Sequence, residues 1–304
     1  MTHLALLHHF TTSLGPSMGR GSFLLKLWTI TIPQIALTHE FLMHSLLAVA
    51  ALHMAHIKAD QQESHREQAI AHQSRALKLA HTEMGHPSAA NADALFAFSI
   101  PTMWYSFASH VLPDATHESR PLAGVVQSIN LLRGIKTVGP SVKQWIEQGP
   151  LAPLHKFGPE NYKAAKDFAD SNTSVHFSKL LVFCSTIGDS EMEDVEAFAA
   201  AASSLRASFL KVEAVADGEP SSPPIFHWAI RLPSNFVNRL ADLHVAPLIL
   251  VAHWCVLLKN ADHFWWMTGW IEKTMMEIQA CLSKDYEDWL IWPQERLLQM
   301  KPGP

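Results

Sequence analysis

Between Gln61 and Met84, Ile70, Leu77 and Met84 recur every seven residues, with Ala69, Ala76 and Ala80 beside them. Glu63, Arg66, Glu67, Arg75 and Lys78 fall on the opposite side. Apolar residues returning at that interval line one side of a 3.6-residue helix, so the segment predicts an amphipathic surface helix with its Ile/Leu/Met stripe turned inward. The preceding stretch, Thr38–Ile57, is apolar nearly all round and predicts a helix enclosed by others. Further helices are predicted over Ser22–Thr31, Ser88–His110 (bent near Pro101), Leu122–Gln148 (broken around Gly134–Pro140), Asn161–Ile187, Ser190–Val215, Asn235–Lys259 and Asp262–Leu282. A short last helix is expected before Trp292-Pro293. The Gly, Pro and Ser cluster of Asp217–Pro224 reads as a flexible loop. Few segments alternate apolar and polar residues, and no Asn-Gly or Asp-Gly hairpin turn lies between two such segments. The expectation is an all-α fold: a single domain over residues 1–304, built as a layered antiparallel helix bundle or an irregular solenoid-like array. No fixed-period repeat is present to make the array a regular one.

Two apolar runs raise the question of a membrane. Phe41–Ile57 is interrupted by His44, Ser45, His53 and His56, and is shorter than the roughly 20 residues a bilayer demands. Val245–Leu258 is shorter still and holds Pro247 and His253. Both are read as core helices, and no membrane span is expected. Composition supports a large core: 48% of the 304 residues are hydrophobic and 17% charged, the reverse of a disordered chain. The formal net charge of −5, with no Lys/Arg stripe, leaves nothing to displace counterions from a phosphate backbone, so direct nucleic-acid binding by this chain is not expected. Cys184, Cys255 and Cys281 are too scattered for a disulfide framework or a zinc motif, which fits a reducing compartment. The nineteen histidines mean that charge changes steeply between pH 7 and pH 5.

Local chemical motifs are weak. Gly15-Pro16-Ser17-Met18-Gly19 has the spacing of a nucleophile elbow, but that motif needs a strand before the Ser, and no βα alternation exists here. His39-Glu40 followed by His44 misses the i, i+4 spacing of a zincin, and five helical residues carry the two imidazoles well apart around the axis. His53/His56 and His65/His72 each share a helical face, yet no carboxylate or Cys lies at ligand spacing beside His53 and His56. No metal, no cofactor and no catalytic residue are assigned from spacing. The densest aromatic and methionine run is His253, Trp254, Leu257, Trp265, Trp266, Met267, Trp270 and Met275, spread over two adjacent helical segments. Such a set lines either a helix–helix core or an apolar ligand pocket, and periodicity alone favours the core.

Several segments taken in order resemble the C-terminal regulatory domain of fungal six-cysteine zinc-cluster transcription factors, specifically the sterol uptake control group. They are Leu6-Leu7-His8-His9-Phe10-Thr11, Leu27-Trp28, Ile32-Pro33-Gln34-Ile35-Ala36 and the long run His39–His53. Leu132-Arg133-Gly134-Ile135, Trp145-Ile146 and Gly149-Pro150-Leu151 follow, then Ala252–Leu258, Trp265–Trp270, Trp289 and Trp292-Pro293. The resemblance implies an all-helical, nuclear, transcription-regulating domain that senses an apolar, sterol-like molecule. It makes the eight aromatic and methionine-rich positions the candidate ligand site. It also implies a departure, because members carry a six-Cys zinc cluster ahead of this domain, whereas the three cysteines here, at 184, 255 and 281, are all distant from the N-terminus. Docking on DNA is then expected to need a partner or an N-terminal segment, with a homodimer or a heterodimer with a full-length relative as the expected assembly. The competing reading is a recruited enzyme or carrier holding an apolar substrate of a natural-product pathway, with His253 beside Trp254, or His263 near Trp265, moving a proton.

Overall fold

The computed structural model describes residues 2–19, 21–111, 120–155, 172–187, 191–214 and 224–300. Among them every regular element is helical and no strand occurs, so the protein is all-α. Its chain contacts gather into two compact units, Met1–Ser109 with Gly134–Lys156 and Phe264–Trp266, and His110–Arg133 with Phe157–His263 and Met267–Pro304.

In the first unit, α1 (Thr2–His9) continues through a wide turn, in which the Gly15 N–H bonds to the Phe10 carbonyl, into α2 (Gly15–Ser17). Ser17 of the Gly-x-Ser-x-Gly spacing therefore sits in a helical turn preceded by helix, which is not the strand–turn–helix setting of an elbow. Next come α3 (Ser22–Lys26), a second wide turn at Leu27–Thr31, α4 (Ile32–Ala36), α5 (Glu40–Ile57) and α6 (Gln62–Met84). The unit is completed by residues 92–109 of α7 (Ala92–Val111), residues 134–146 of α8 (Ala123–Ile146), and α9 (Ala152–His155). Against expectation, α8 runs unbroken through Gly134 and Pro140.

The centre of this unit is α5, which packs against α1, α4 and α6. It is long and apolar enough to cross a bilayer, but 61% of it is buried within the protein, as for a core helix. The α5–α6 contact corrects the expected facing of α6. Ile70, Leu77 and Met84 are 48%, 39% and 40% exposed, whereas Ala69, Ala76 and Ala80 are buried together with His65, His72 and Gln73. Because α5 brings bulky Leu46, Leu47, Val49 and Leu52 to the core, the helix beside it fits best through its small side chains.

The second unit contains α10 (Asn172–Thr186), α11 (Met192–Ala214), α12 (His227–Arg231), α13 (Ser234–Ala241), α14 (Val245–Leu258), α15 (Trp270–Cys281) and α16 (Asp288–Gln299). The expected helix Asn235–Lys259 is two helices, α13 and α14, bent by 99°. The break is a left-handed cap: Leu243 has φ 61°, and the His244 N–H reaches back five residues to the Arg239 carbonyl at 2.9 Å. The expected helix Asp262–Leu282 shortens to α15, because Gly269 takes φ 77° at its start. The last helix, α16, passes through Pro293 instead of ending before it; buried Leu290 and Pro293 hold it where it packs on α14. The loop expected at Asp217–Pro224 and the start of the expected helix Asn161–Ile187 lie outside the described residues, apart from Pro224, which opens a short turn.

Candidate functional site

All of α14 from Ala246 to Leu258 is buried, and it packs against α11, α13, α15 and α16. A helix enclosed on every side presents whatever polar group it carries to the interior, and here that group is His253. Its Nδ1–H donates to the Ile249 carbonyl at 2.7 Å, the residue one turn earlier. That bond fixes the tautomer, because Nε2 is left as an acceptor. His176 of α10 supplies the donor, with 2.8 Å between the two Nε2 atoms. The result is a directional chain from partly exposed His176 through buried His253 to a backbone carbonyl.

Trp292 of α16 floors this pair. The His176 and His253 rings lie parallel to its indole, with centroids at 4.5 Å and 5.3 Å and interplanar angles of 7° and 12°. Phe177 and Phe209 meet the same indole at 5.8 Å, and the Arg296 guanidinium stands 5.6 Å from its centroid. Burial pushes His253 down to about 3 and His176 down to about 4; the Ile249 carbonyl opposes the first shift and the Lys179 ammonium adds to the second. Both rings are therefore neutral at pH 7. Chemically the arrangement is an uncharged imidazole relay on an aromatic floor, suited to apolar surroundings.

A second group of rings gathers around Trp254 of the same core helix. Trp254 donates Nε1–H to the Ile225 carbonyl at 2.7 Å and meets Trp228 and Trp270 at 5.5 Å and 5.8 Å. Trp228 donates to the Ala201 carbonyl at 2.9 Å. His110 contacts the Trp270 ring at 5.6 Å. The structure thus places His253, Trp254, Leu257, Met267, Trp270 and Met275 in the second unit, all buried. Trp265 and Trp266 belong to the first, where Trp265 lies 4.7 Å from the His53 ring and Trp266 is edge-on to Phe107 at 5.7 Å.

His176 and Trp292, the partners that give His253 its geometry, were not singled out from spacing. They lie 77 and 39 residues from it, on other helices, and no local pattern joins them. The cysteines offer no nucleophile: burial raises Cys255, Cys184 (to about 12) and Cys281, so all three are held as thiols. Among the described residues, no group of three or more His, Cys, Asp or Glu side chains is placed to hold a metal ion.

Comparison with known proteins places the first part of the chain. Sterol uptake control protein 2 of Candida albicans (strain SC5314 / ATCC MYA-2876) is 31% identical over 118 residues, which is 38% of this chain and 16% of that protein. The chain therefore spans far less than the length of the curated relative it matches. Residues 5–146 match the model of the fungal specific transcription factor domain. This segment runs from α1 through α8 and leaves α14 and its aromatic surroundings outside. The chain is thus similar to the fungal specific transcription factor domain over residues 5–146, a little under half of its length.

Proposed function

We propose that this chain is the regulatory part of a fungal transcription regulator, working in the nucleus, in which an apolar small molecule of sterol size biases the helical domain between two states. The match of residues 5–146 to the fungal specific transcription factor domain carries the regulatory reading. The ligand class rests on less. The relative's printed name ties that protein to sterol uptake, and the Trp-, Phe- and Met-rich surroundings of α14 suit an apolar guest. A ligand acts by preferring one of two conformations, so its effect is bounded by its differential affinity for them. Contact with DNA is assigned to a partner or a linked segment, since the chain's own charge is −5.

A tethering experiment tests this. Residues 1–304 fused to a bacterial DNA-binding domain should change a reporter's output severalfold, and sterol depletion of the host should shift that output. Output equal to the DNA-binding domain alone under every condition would end the regulatory reading. An output that ignores sterol, with no apolar molecule seen by native mass spectrometry of the purified chain, would remove the ligand.

A further inference from the structure

The seven-residue repeat Ile70, Leu77 and Met84 of α6 faces outward, 48%, 39% and 40% exposed. Ala69, Ala76 and Ala80 lie on the side that packs on α5, so the core leaves the stripe unused. Large apolar side chains in line on an outer helix face form a seam of the kind that pairs with another helix. We propose that this stripe is a self-association surface, on which α6 of one copy of the chain packs antiparallel on α6 of a second copy across a two-fold axis.

Charge selects both the occupant and the direction. At about 100° per residue, Ile70, Leu77 and Met84 fall within about 40° of one another. Exposed Glu63, Glu67, Lys78 and His81 lie about 40–100° round the axis from Leu77, all on one side. Glu63 and Glu67 occupy the N-terminal half of this flank, Lys78 and His81 the C-terminal half. A two-fold axis perpendicular to the helices sets the flank against the same flank of the second copy with its direction reversed. Each acidic half then meets a basic half, twice over. A parallel pair would set Lys78 and His81 against the other side of the stripe, which there consists of buried Gln73 and Ala80 and offers no carboxylate. Arg75, the remaining exposed cation of α6, is held by Glu40 at 3.1 Å within its own copy.

The same register interlocks the apolar groups. With Glu67 opposite Lys78 of the second copy, Glu63 falls one residue from His81. Ile70 is then offset from the opposing Leu77 by two residues, about 3 Å, a stagger that lets each side chain enter the space between two others. Ser74 and Ala71, both small and exposed, lie nearest the two-fold axis on this flank and allow close approach. Met84 extends past the N-terminus of the opposing α6 toward Ile57, which is 53% exposed at the end of α5. One helix pair is a small interface, so a dissociation constant on the order of 10 µM is expected.

The proposal does not depend on the sterol reading. Sedimentation velocity of purified residues 1–304, from about 1 to about 200 µM, should show monomer passing into dimer near that concentration. Ile70→Asp and Leu77→Asp, at exposed positions, should stay monomeric with an unchanged far-UV circular dichroism spectrum. Lys78→Glu should weaken the dimer about 5–10-fold, and Glu67→Lys added to it should restore affinity to within about threefold. The two positions are about three turns apart on α6, so the exchanged charges meet only across copies. A chain that remains monomeric throughout refutes self-pairing and gives the stripe to a different protein. A dimer that survives Leu77→Asp, or a Lys78→Glu variant that is unweakened or is not rescued by the exchange, also overturns the proposal.

Discussion

Acid should unfold this protein through its buried histidines, and the size of the effect follows from their environments. His72, His110 and His253 are all less than a tenth exposed. Desolvation takes His72 and His110 down to about 4 and His253 down to about 3, from 6.5 in the unfolded chain. A lowered folded value means that the unfolded state binds the proton first. Stability is then whole above pH 6.5 and falls as the pH drops through the window from 6.5 to about 4. At pH 5 each group has lost about 2 kcal/mol, since one pH unit corresponds to about 1.36 kcal/mol per proton. Three such groups give about 6 kcal/mol as an upper bound, comparable to the whole stability of an ordinary domain, about 5–15 kcal/mol. Asp93, raised by burial, works in the opposite direction with a single proton. Urea unfolding followed by far-UV circular dichroism at pH 7.5 and pH 5.0, with chelator present, should show a loss of about 3–6 kcal/mol. H253Q should remove about one proton's share of that slope. A midpoint that holds steady or rises between pH 7.5 and pH 5.0 would show that the histidines are not buried neutral.

Other consequences can be checked by melting curves. Ala76→Leu should cost about 1–3 kcal/mol by overpacking the α5–α6 contact, while Leu77→Ala, on the exposed face, should change stability by less than about 0.5 kcal/mol; the reverse order would restore the facing expected from the seven-residue repeat. Gly124→Ala would set a Cβ against the His110 ring, at Nδ1, and should lower stability by about 1–3 kcal/mol, with an unchanged Tm as the contrary result. Asp194, 5% exposed, accepts from Arg239 Nε at 2.7 Å, and Asp194→Ala should cost about 1.5–3 kcal/mol; a loss that vanishes would mark the pair as dispensable.

The sequence by itself determined the all-helical class and the positions of its longest elements. Uniformly apolar runs such as Glu40–Ile57 and Val245–Leu258 have nowhere to go but a helical interior, and without alternating segments joined by hairpin turns there is no route to a sheet. It also held the resemblance to a fungal transcription factor domain, through motifs in order from Leu6 to Pro293, of which the family model matches residues 5–146. Tertiary structure decided three other things. One was which face of α6 turns inward: hydrophobicity ranks Ile70 and Leu77 above Ala69 and Ala76, whereas close helix packing rewards the smaller group. Another was where helices stop, since the left-handed cap at Leu243 splits a segment with no Gly or Pro at the break. The last was which histidines meet. His176 with His253, and His44 with His72, join helices far apart in the chain, and a hydrogen bond across such a distance exists only once packing has brought both partners out of water.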